Sequence, residues 1–351
     1  MDRKDALLET VDRTHIPTPV RFLVTREGRA PIRKLMACAR GRMKPEMKVE
    51  IDFRLYAPAI GPPRPRSQRR FGGLIDSARR LGLGLRKRRL LGTTRSARPR
   101  TIVFADIERL GWDERRRAAA LWSRLESASG VARLLNHPTR VLCRYELLRA
   151  LRDRGWNDFG AYRVSEQRMP ERYPVFLRGE DDHAGATSPL LESEAELRAE
   201  LERRRAKGEL RESTLIVEFC DTSDEEGMFR KYGAFRVGRH ILPRHIFISR
   251  GWMLKSTRDS DGVPREEMAR LESDYIERNP HAAELMARFE LAGIEYGRID
   301  YGLKDGRVQV WEIHTNPTLI LPAHFDDPIR GPLHEAFMRR LDAALAELGS
   351  D

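Results

Sequence analysis

The sequence predicts an α/β chain built as α+β lobes and preceded by a basic N-terminal segment. Two observations give the lobes. Stretches with apolar residues at helical spacing alternate with short apolar runs, and some of those runs lie close enough together to be hairpins. A third observation gives the segment: residues 1–100 hold 26 Lys and Arg against 9 Asp and Glu, while the rest of the chain holds 39 against 44. The predicted divisions are a basic, partly irregular segment at 1–98, an α/β region at 99–160, and two lobes at 161–351.

Within the basic segment, Arg21–Val24 and Val49–Phe53 read as short strands, and GPPRPRSQRR (61–70) reads as a Pro/Arg linker. Phe71–Leu91 mixes apolar residues with a basic cluster. It reads either as a docking site for an anionic membrane or nucleic acid or as a solvated arm. From residue 99 the signals sharpen. Thr101–Ala105 predicts a buried strand, Asp113–Ser127 a helix, Asn136-His-Pro a turn, and Arg140–Arg154 a helix closed by Gly155. Ala161–Val164 and Tyr173–Arg178 read as strands, followed by a polar loop and a charged helix over about 192–207. Thr214–Cys220 is a strong strand, and Tyr232–Val237 with His240–Ser249 predicts an antiparallel pair joined near Gly238. One long helix is expected from Pro264 to Leu291, a hairpin from Ile294–Asp300 and Val308–Ile313, and a last helix over Pro332–Leu348.

Composition narrows the function classes. A chain of 351 residues can bury the cores of two or three subdomains. No apolar run approaches the roughly 18 residues of a membrane span, and MDRKDALLETVDR lacks the apolar stretch of a signal peptide. Cys38, Cys143 and Cys220 are odd in number and form no CxxC pair. Neither a disulfide framework nor a zinc site is expected, and the expected compartment is a reducing cytoplasm.

The chemistry concentrates in Tyr296–Pro317, YGRIDYGLKDGRVQVWEIHTNP. Asp305-Gly306 is a favoured tight-turn pair, so Asp300 and Glu312 fall on neighbouring strands. If both face one side, their carboxylates can share cations across the ladder. Two acids in an apolar hairpin are costly to bury without a positive group. Magnesium, which takes hard oxygen ligands from carboxylates and phosphates, is one such group. A solvated face with Arg298 as a structural ion-pair partner is the other reading, and the hairpin alone leaves both open.

This pattern (GRID, a DG turn, an acidic residue and a small-polar-Pro ending) resembles the ATP-grasp superfamily, above all its D-alanine–D-alanine ligase and RimK-like branches. The resemblance covers about residues 135–322. It implies a fold that holds ATP between two lobes, with Asp300 and Glu312 binding two Mg2+ ions against the phosphates and Arg298 contacting the transferred phosphoryl group or the acyl intermediate. The family usually reads Glu-x-Asn. Here His314 stands in the Asn position and Asn316 follows two residues later, so either is the third metal ligand. An imidazole suits transition metals better than magnesium.

The same resemblance places Arg144 and Arg178 where the family has two phosphate-binding lysines, and arginine keeps the charge while adding bidentate donors. It makes Glu218, Phe219 and Cys220 candidates for the adenine hinge and Asp221 or Glu225 the ribose ligand. Lys231 or Arg236 is the further basic residue sent toward the phosphates, Lys231 being preferred. Glu180–Ser188 would be the loop over the phosphates, with His183 in it. His240, His245, Trp252 and Lys255 have no counterpart, and His240 and His245 fall on opposite faces of a regular strand. The implied activity is ATP- and magnesium-dependent ligation. A small-molecule or peptide carboxylate is activated as an acyl-phosphate and trapped by an amine. Alternatives are an ATP-grasp phosphotransferase, a nucleotide-binding module without turnover, and a nucleic-acid or membrane binder acting through residues 1–98.

Overall fold

The computed structural model describes residues 20–24, 51–55, 100–127, 131–181, 185–254, 263–317 and 327–348. Among these the chain forms three sheets and six α-helices. The linker at 61–70 and the Phe71–Leu91 stretch lie outside the described residues, as do Cys38, His183 and Lys255.

The first sheet is parallel, in the order β2-β1-β3-β4, from β1 (Val20–Val24), β2 (Ile51–Leu55), β3 (Arg100–Phe104) and β4 (Val131–Leu135). Parallel strands need crossover connections, and between β3 and β4 that connection is α1 (Trp112–Glu126). Its Ala118, Leu121 and Leu125 recur at helical spacing and pack with Ile102 and Phe104. The second sheet, β5-β7-β6, is antiparallel and comprises β5 (Ala161–Arg163), β6 (Val175–Gly179) and β7 (Thr214–Glu218). Two helices belong to this region, α2 (Arg144–Asp153) and α3 (Glu194–Ala206). The third sheet is also antiparallel, in the order β11-β10-β8-β9. Its strands are β8 (Phe229–Val237), β9 (His240–Ser249), β10 (Tyr296–Lys304) and β11 (Arg307–His314). α4 (Arg265–Arg278), α5 (Ala282–Ala292) and α6 (Gly331–Glu347) complete it. Tyr275, Ile276, Leu285 and Phe289 of α4 and α5 join the core with Ile299 and Tyr301, while Phe337 and Leu341 of α6 pack with Phe235 and Val237.

Two helix boundaries differ from expectation. α2 begins at Arg144, not Arg140. The N–H groups of Arg140 and Val141 bond to His137 O, and that of Leu142 to Ala292 O, so the intervening residues cap one turn and dock on α5 instead of starting a helix. The long helix expected over 264–291 is two helices. Asn279 precedes Pro280, and proline disfavours helical geometry in the residue before it. Asn279 adopts a left-handed conformation, φ 45°, and ends α4, and a new helix starts at Ala282.

Asn136 ties the first sheet to the third. Its amide donates to Phe104 O (3.0 Å) and Tyr296 O (2.8 Å) and accepts from the N–H groups of Glu295 (2.8 Å) and Tyr296 (3.0 Å). It is fully buried with φ 62°, a conformation asparagine tolerates better than most residues. Among the described residues no helix is long and apolar enough to cross a membrane.

Candidate active site

The β10–β11 hairpin carries the site, and its irregularity decides which side chains share a face. Asp305 and Gly306 both have left-handed backbone, φ 51° and 73°, which a two-residue turn matching strand twist requires. From the turn the ladder runs from Lys304 opposite Arg307 to Tyr301 opposite Val310, then slips by one residue so that Asp300 faces Glu312. Trp311 is the extra residue. Had the ladder continued in step, Asp300 would face Trp311 and Glu312 would project from the other side.

A second bulge lies level with the first. Asp300 pairs with Gly233 of β8, and the β8–β9 ladder slips beside Gly233, leaving Arg244 extra and His245 opposite Gly233. One transverse row therefore reads His245, Gly233, Asp300, Glu312. Gly233 is bare because the His245 ring lies over it: a Cβ there would fall 2.5 Å from the ring Cε1. The bulge also overturns the expectation that His240 and His245 face opposite ways. Both pair with residues of the same face, Val237 and Gly233. They do not act together: His240 Nε2 lies 2.6 Å from Glu347, whereas His245 stacks on Phe247.

Both acids are withdrawn from water, and each is gripped by two cations. Asp300 is 1% exposed. Its Oδ1 accepts from Arg298 Nε at 2.8 Å, and Lys231 Nζ lies 3.1 Å from Oδ2. Glu312 Oε2 accepts from Arg178 Nη2 at 2.7 Å and from Arg144 Nη2. Burial raises the Asp300 pKa, but Arg298 and Lys231 outweigh it and hold the carboxyl below its ordinary range. Glu312 follows the same logic: burial raises it, and His314, Arg144 and Arg178 bring it well down. Both are carboxylates at neutral pH. Four cations thus meet two carboxylates in a site with little water.

Each cation comes from a different element. Arg144 opens α2, and its Nη1 also donates to the carbonyls of Gly179 (2.7 Å) and Glu180 (2.8 Å), fastening the helix to the end of β6. Arg178 lies on β6 and is 8% exposed. Of the two basic candidates on β8, strand parity selects Lys231, two residues from Gly233 on the Asp300 face. Arg236 takes the other face, where it donates to Gly238 O (2.8 Å) and Ile294 O (3.1 Å).

His314 joins the acids. Its Nε2 is 2.7 Å from Glu312 Oε1. Among the described residues, Asp300, Glu312 and His314 present ligand atoms that all lie within 4.8 Å of one another. A small divalent cation bonded at about 2.1 Å draws its donors to within about 4.2 Å. A closure of roughly half an ångström, with the basic side chains turning aside, would accommodate one, so these residues fit a divalent cation. Asn316 is buried just beyond the end of β11.

The hinge candidates have separate surroundings. Glu218 is 1% exposed and serves the protein itself. Oε1 accepts from Tyr162 OH (3.0 Å) and the N–H groups of Glu171 (3.0 Å) and Arg172 (3.1 Å). Oε2 accepts from Gly160 N–H (2.8 Å) and Arg172 Nη2 (3.1 Å). The backbone N–H groups of Glu218 and Phe219 go to Gly160 O and Pro174 O. Phe219 lies edge-on to Trp252, which also packs on Phe176. Cys220 is buried, and burial pushes its thiol up to about 11. Asp221 Oδ1 accepts from Ser223 N–H and Oγ. Glu225 lines a shallow cleft with Arg230, Tyr232 and Asp305. In the Glu180–Ser188 loop, Glu180 pairs with Arg163, and Ser188 Oγ accepts from Leu177 N–H.

Sequence reasoning missed Glu108. It sits in the short 3-10 turn after β3, 206 positions before His314, with no motif to flag it. Its Oε2 accepts from Thr315 Oγ at 2.5 Å, and its Oε1 lies 3.9 Å from His314 Nδ1. Burial raises this carboxyl, but His314 and Thr315 bring it down to about 2.

No protein-family model matches the sequence, and no curated protein matches it. Solved structures do. The chain is similar to the D-alanine–D-alanine ligase of Coxiella burnetii, at 13% identity over 95% of both chains with a TM-score of 0.49. It is similar to the D-alanine–D-alanine ligase of Bacillus anthracis complexed with ATP, at 13% identity over 94% of this chain and 99% of that one, TM-score 0.43. It is also similar to a RimK domain ATP-grasp protein of Sphaerobacter thermophilus, at 14% identity over 94% and 98% of the two chains, TM-score 0.45.

Proposed function

We infer that the chain is an ATP-dependent carboxylate–amine ligase of the ATP-grasp type, its phosphates held over the Asp300–Glu312 row. The observation that carries this reading is the row itself: a buried Asp300 beside a Glu312 whose side chain is 14% exposed, each paired with two cations from separate elements. Such a cationic surplus in a site poor in water calls for an anionic ligand, and a polyphosphate supplies the missing negative charge. The motif resemblance of Tyr296–Pro317 supports the same assignment.

The proposed roles draw on where these side chains lie. Arg144 and Arg178, which reach Glu312 Oε2 from α2 and β6 through one Nη2 each, would offer bidentate donors to phosphate oxygens. Lys231 and Arg298, on Asp300, face the transferred phosphoryl group. As the phosphates take over these cations, Asp300 and Glu312 become free to ligate. Divalent cations bound there would neutralise charge developing on the phosphoryl oxygens. Cys220 and Asp221 at the end of β7 remain the candidates for contacts to adenine and ribose. A substrate carboxylate that takes the phosphoryl group becomes an acyl-phosphate open to amine attack, with no protein nucleophile required.

The test is product analysis with ATP, Mg2+ and pools of carboxylates and amines. ADP, free phosphate and a new amide mass are expected, and alanine at Asp300 or Glu312 should abolish all three while the far-UV spectrum is kept. Turnover persisting in both variants overturns the reading. ADP with phosphate retained on the product would make the chain a phosphotransferase.

A further inference from the structure

Glu108, which the ligase reading does not use, forms a couple with His314. The imidazole stands between two carboxylates, Nε2 toward Glu312 at 2.7 Å and Nδ1 toward Glu108 at 3.9 Å. Glu108 is anchored independently of the histidine: it accepts from Thr315 Oγ, and that hydroxyl oxygen accepts from Ile107 N–H at 3.0 Å. The backbone N–H of Thr315 also reaches Glu108 Oε1 at 3.3 Å, so the acid clamps the segment that follows His314. His314 and Glu108 are both about nine-tenths buried, with 7% and 10% side-chain exposure. A buried imidazole with a carboxylate beside one nitrogen and acidic ligands facing the other has the surroundings of a metal-binding histidine; the 3.9 Å separation from Glu108 is an ion-pair distance that would close to a hydrogen bond on metal binding. An ion-paired histidine needs only one of those acids.

The donor set also speaks to the kind of cation. Asp300 and Glu312 supply oxygen, and His314 adds a nitrogen within the same 4.8 Å group. Mg2+ prefers oxygen and water in near-ideal octahedral geometry. First-row transition cations accept imidazole readily and bind mixed N/O sites more tightly than Mg2+ does. We propose that His314, oriented by Glu108, makes one cation position here a mixed nitrogen–oxygen site that takes Mn2+ in preference to Mg2+. His314 Nε2 ligates, and Glu108 is a positioning residue. This rests on the reading that Asp300 and Glu312 bind divalent cations beneath phosphates.

The experiment is pulsed EPR of Mn2+ bound to the full chain in the presence of inorganic pyrophosphate. Pyrophosphate contains no nitrogen, so nitrogen coupling must come from the protein. Nitrogen and phosphorus couplings are both expected in the wild type, and His314→Asn should lose the nitrogen while keeping the phosphorus. Mg2+ should displace the Mn2+ only at about tenfold excess or more. Glu108→Gln should keep the nitrogen coupling but loosen Mn2+ roughly 10–100-fold. Should His314→Asn fail to fold by circular dichroism, Glu108→Gln decides: unchanged Mn2+ affinity overturns the proposal. Phosphorus without nitrogen in the wild type removes His314 as a ligand and leaves the phosphate site standing. The absence of both removes the phosphate site too.

Discussion

Replacing Glu218 by glutamine tests whether this acid serves the fold or a nucleotide. Three donors converge on Oε1 and two on Oε2. An amide must put its NH2 on one side or the other, so whichever way it turns at least two donors lose their acceptor and meet a donor instead. Hydrogen bonds to a charged acceptor contribute about 1.5–3 kcal/mol each. The Arg172 contact is discounted because that side chain is 49% exposed and screened by water. The expected loss is about 3–5 kcal/mol of unfolding free energy, measured by urea titration at pH 7. Burial raises the Glu218 pKa, but Gly160 N–H, Tyr162 and Arg172 pull it below its ordinary value. A carboxyl depressed on folding stabilises above its unfolded pKa and loses that contribution as pH falls through its folded pKa. The gap between wild type and Glu218→Gln should therefore narrow below about pH 4. A variant of near wild-type stability whose ATP affinity has fallen tenfold would refute this account and return the side chain to the nucleotide.

Asn136→Ala should cost at least about 3 kcal/mol, because it leaves the N–H groups of Glu295 and Tyr296 and two carbonyls without their partner at the junction of two sheets; a change under about 1 kcal/mol by urea unfolding would count against that role. Asp342 on α6 is 8% exposed, its Oδ2 has no hydrogen-bond partner, and burial raises its carboxyl to about 7. The folded acid holds its proton more tightly than the unfolded one, so stability should fall as pH rises from about 4 to about 7, by an amount on the order of 4 kcal/mol. Asp342→Asn should flatten that slope and raise the melting temperature at pH 8 while changing little at pH 4; equal slopes would exclude a buried neutral acid.

Much of the site was legible because turn chemistry and strand parity are local. Asp305-Gly306 announces a hairpin, and a hairpin places Asp300 near Glu312. Arg144 opens a helix and Arg178 nears the end of a strand, positions the motif resemblance had indicated. What stayed hidden depends on events that leave no local trace. The slip at Trp311 decides which way Glu312 points, yet nothing in Val-Trp-Glu signals a bulge. The slip at Arg244 reversed the expected facing of His245 for the same reason. Asn279-Pro280 did carry a signal, and the apolar spacing running through it masked the break. Glu108 reaches His314 only through tertiary contact, and the five donors around Glu218 come from two stretches of chain, 160–162 and 171–172. The adenine hinge read from Leu215–Asp221 combined a strand that is present with a side chain already committed elsewhere.

Trp311 gives the hairpin a lever. Released from strand pairing by the bulge, its ring rests 5.2 Å from Phe159, at the entrance to the sheet that carries Arg178. Glu312 is the next residue along the chain, so it cannot shift without the indole following. Asn157 and Asp158 fasten the same junction through hydrogen bonds to Val310 and Gln309, so the Trp311–Phe159 contact is one of several that set the spacing between Arg178 and Glu312.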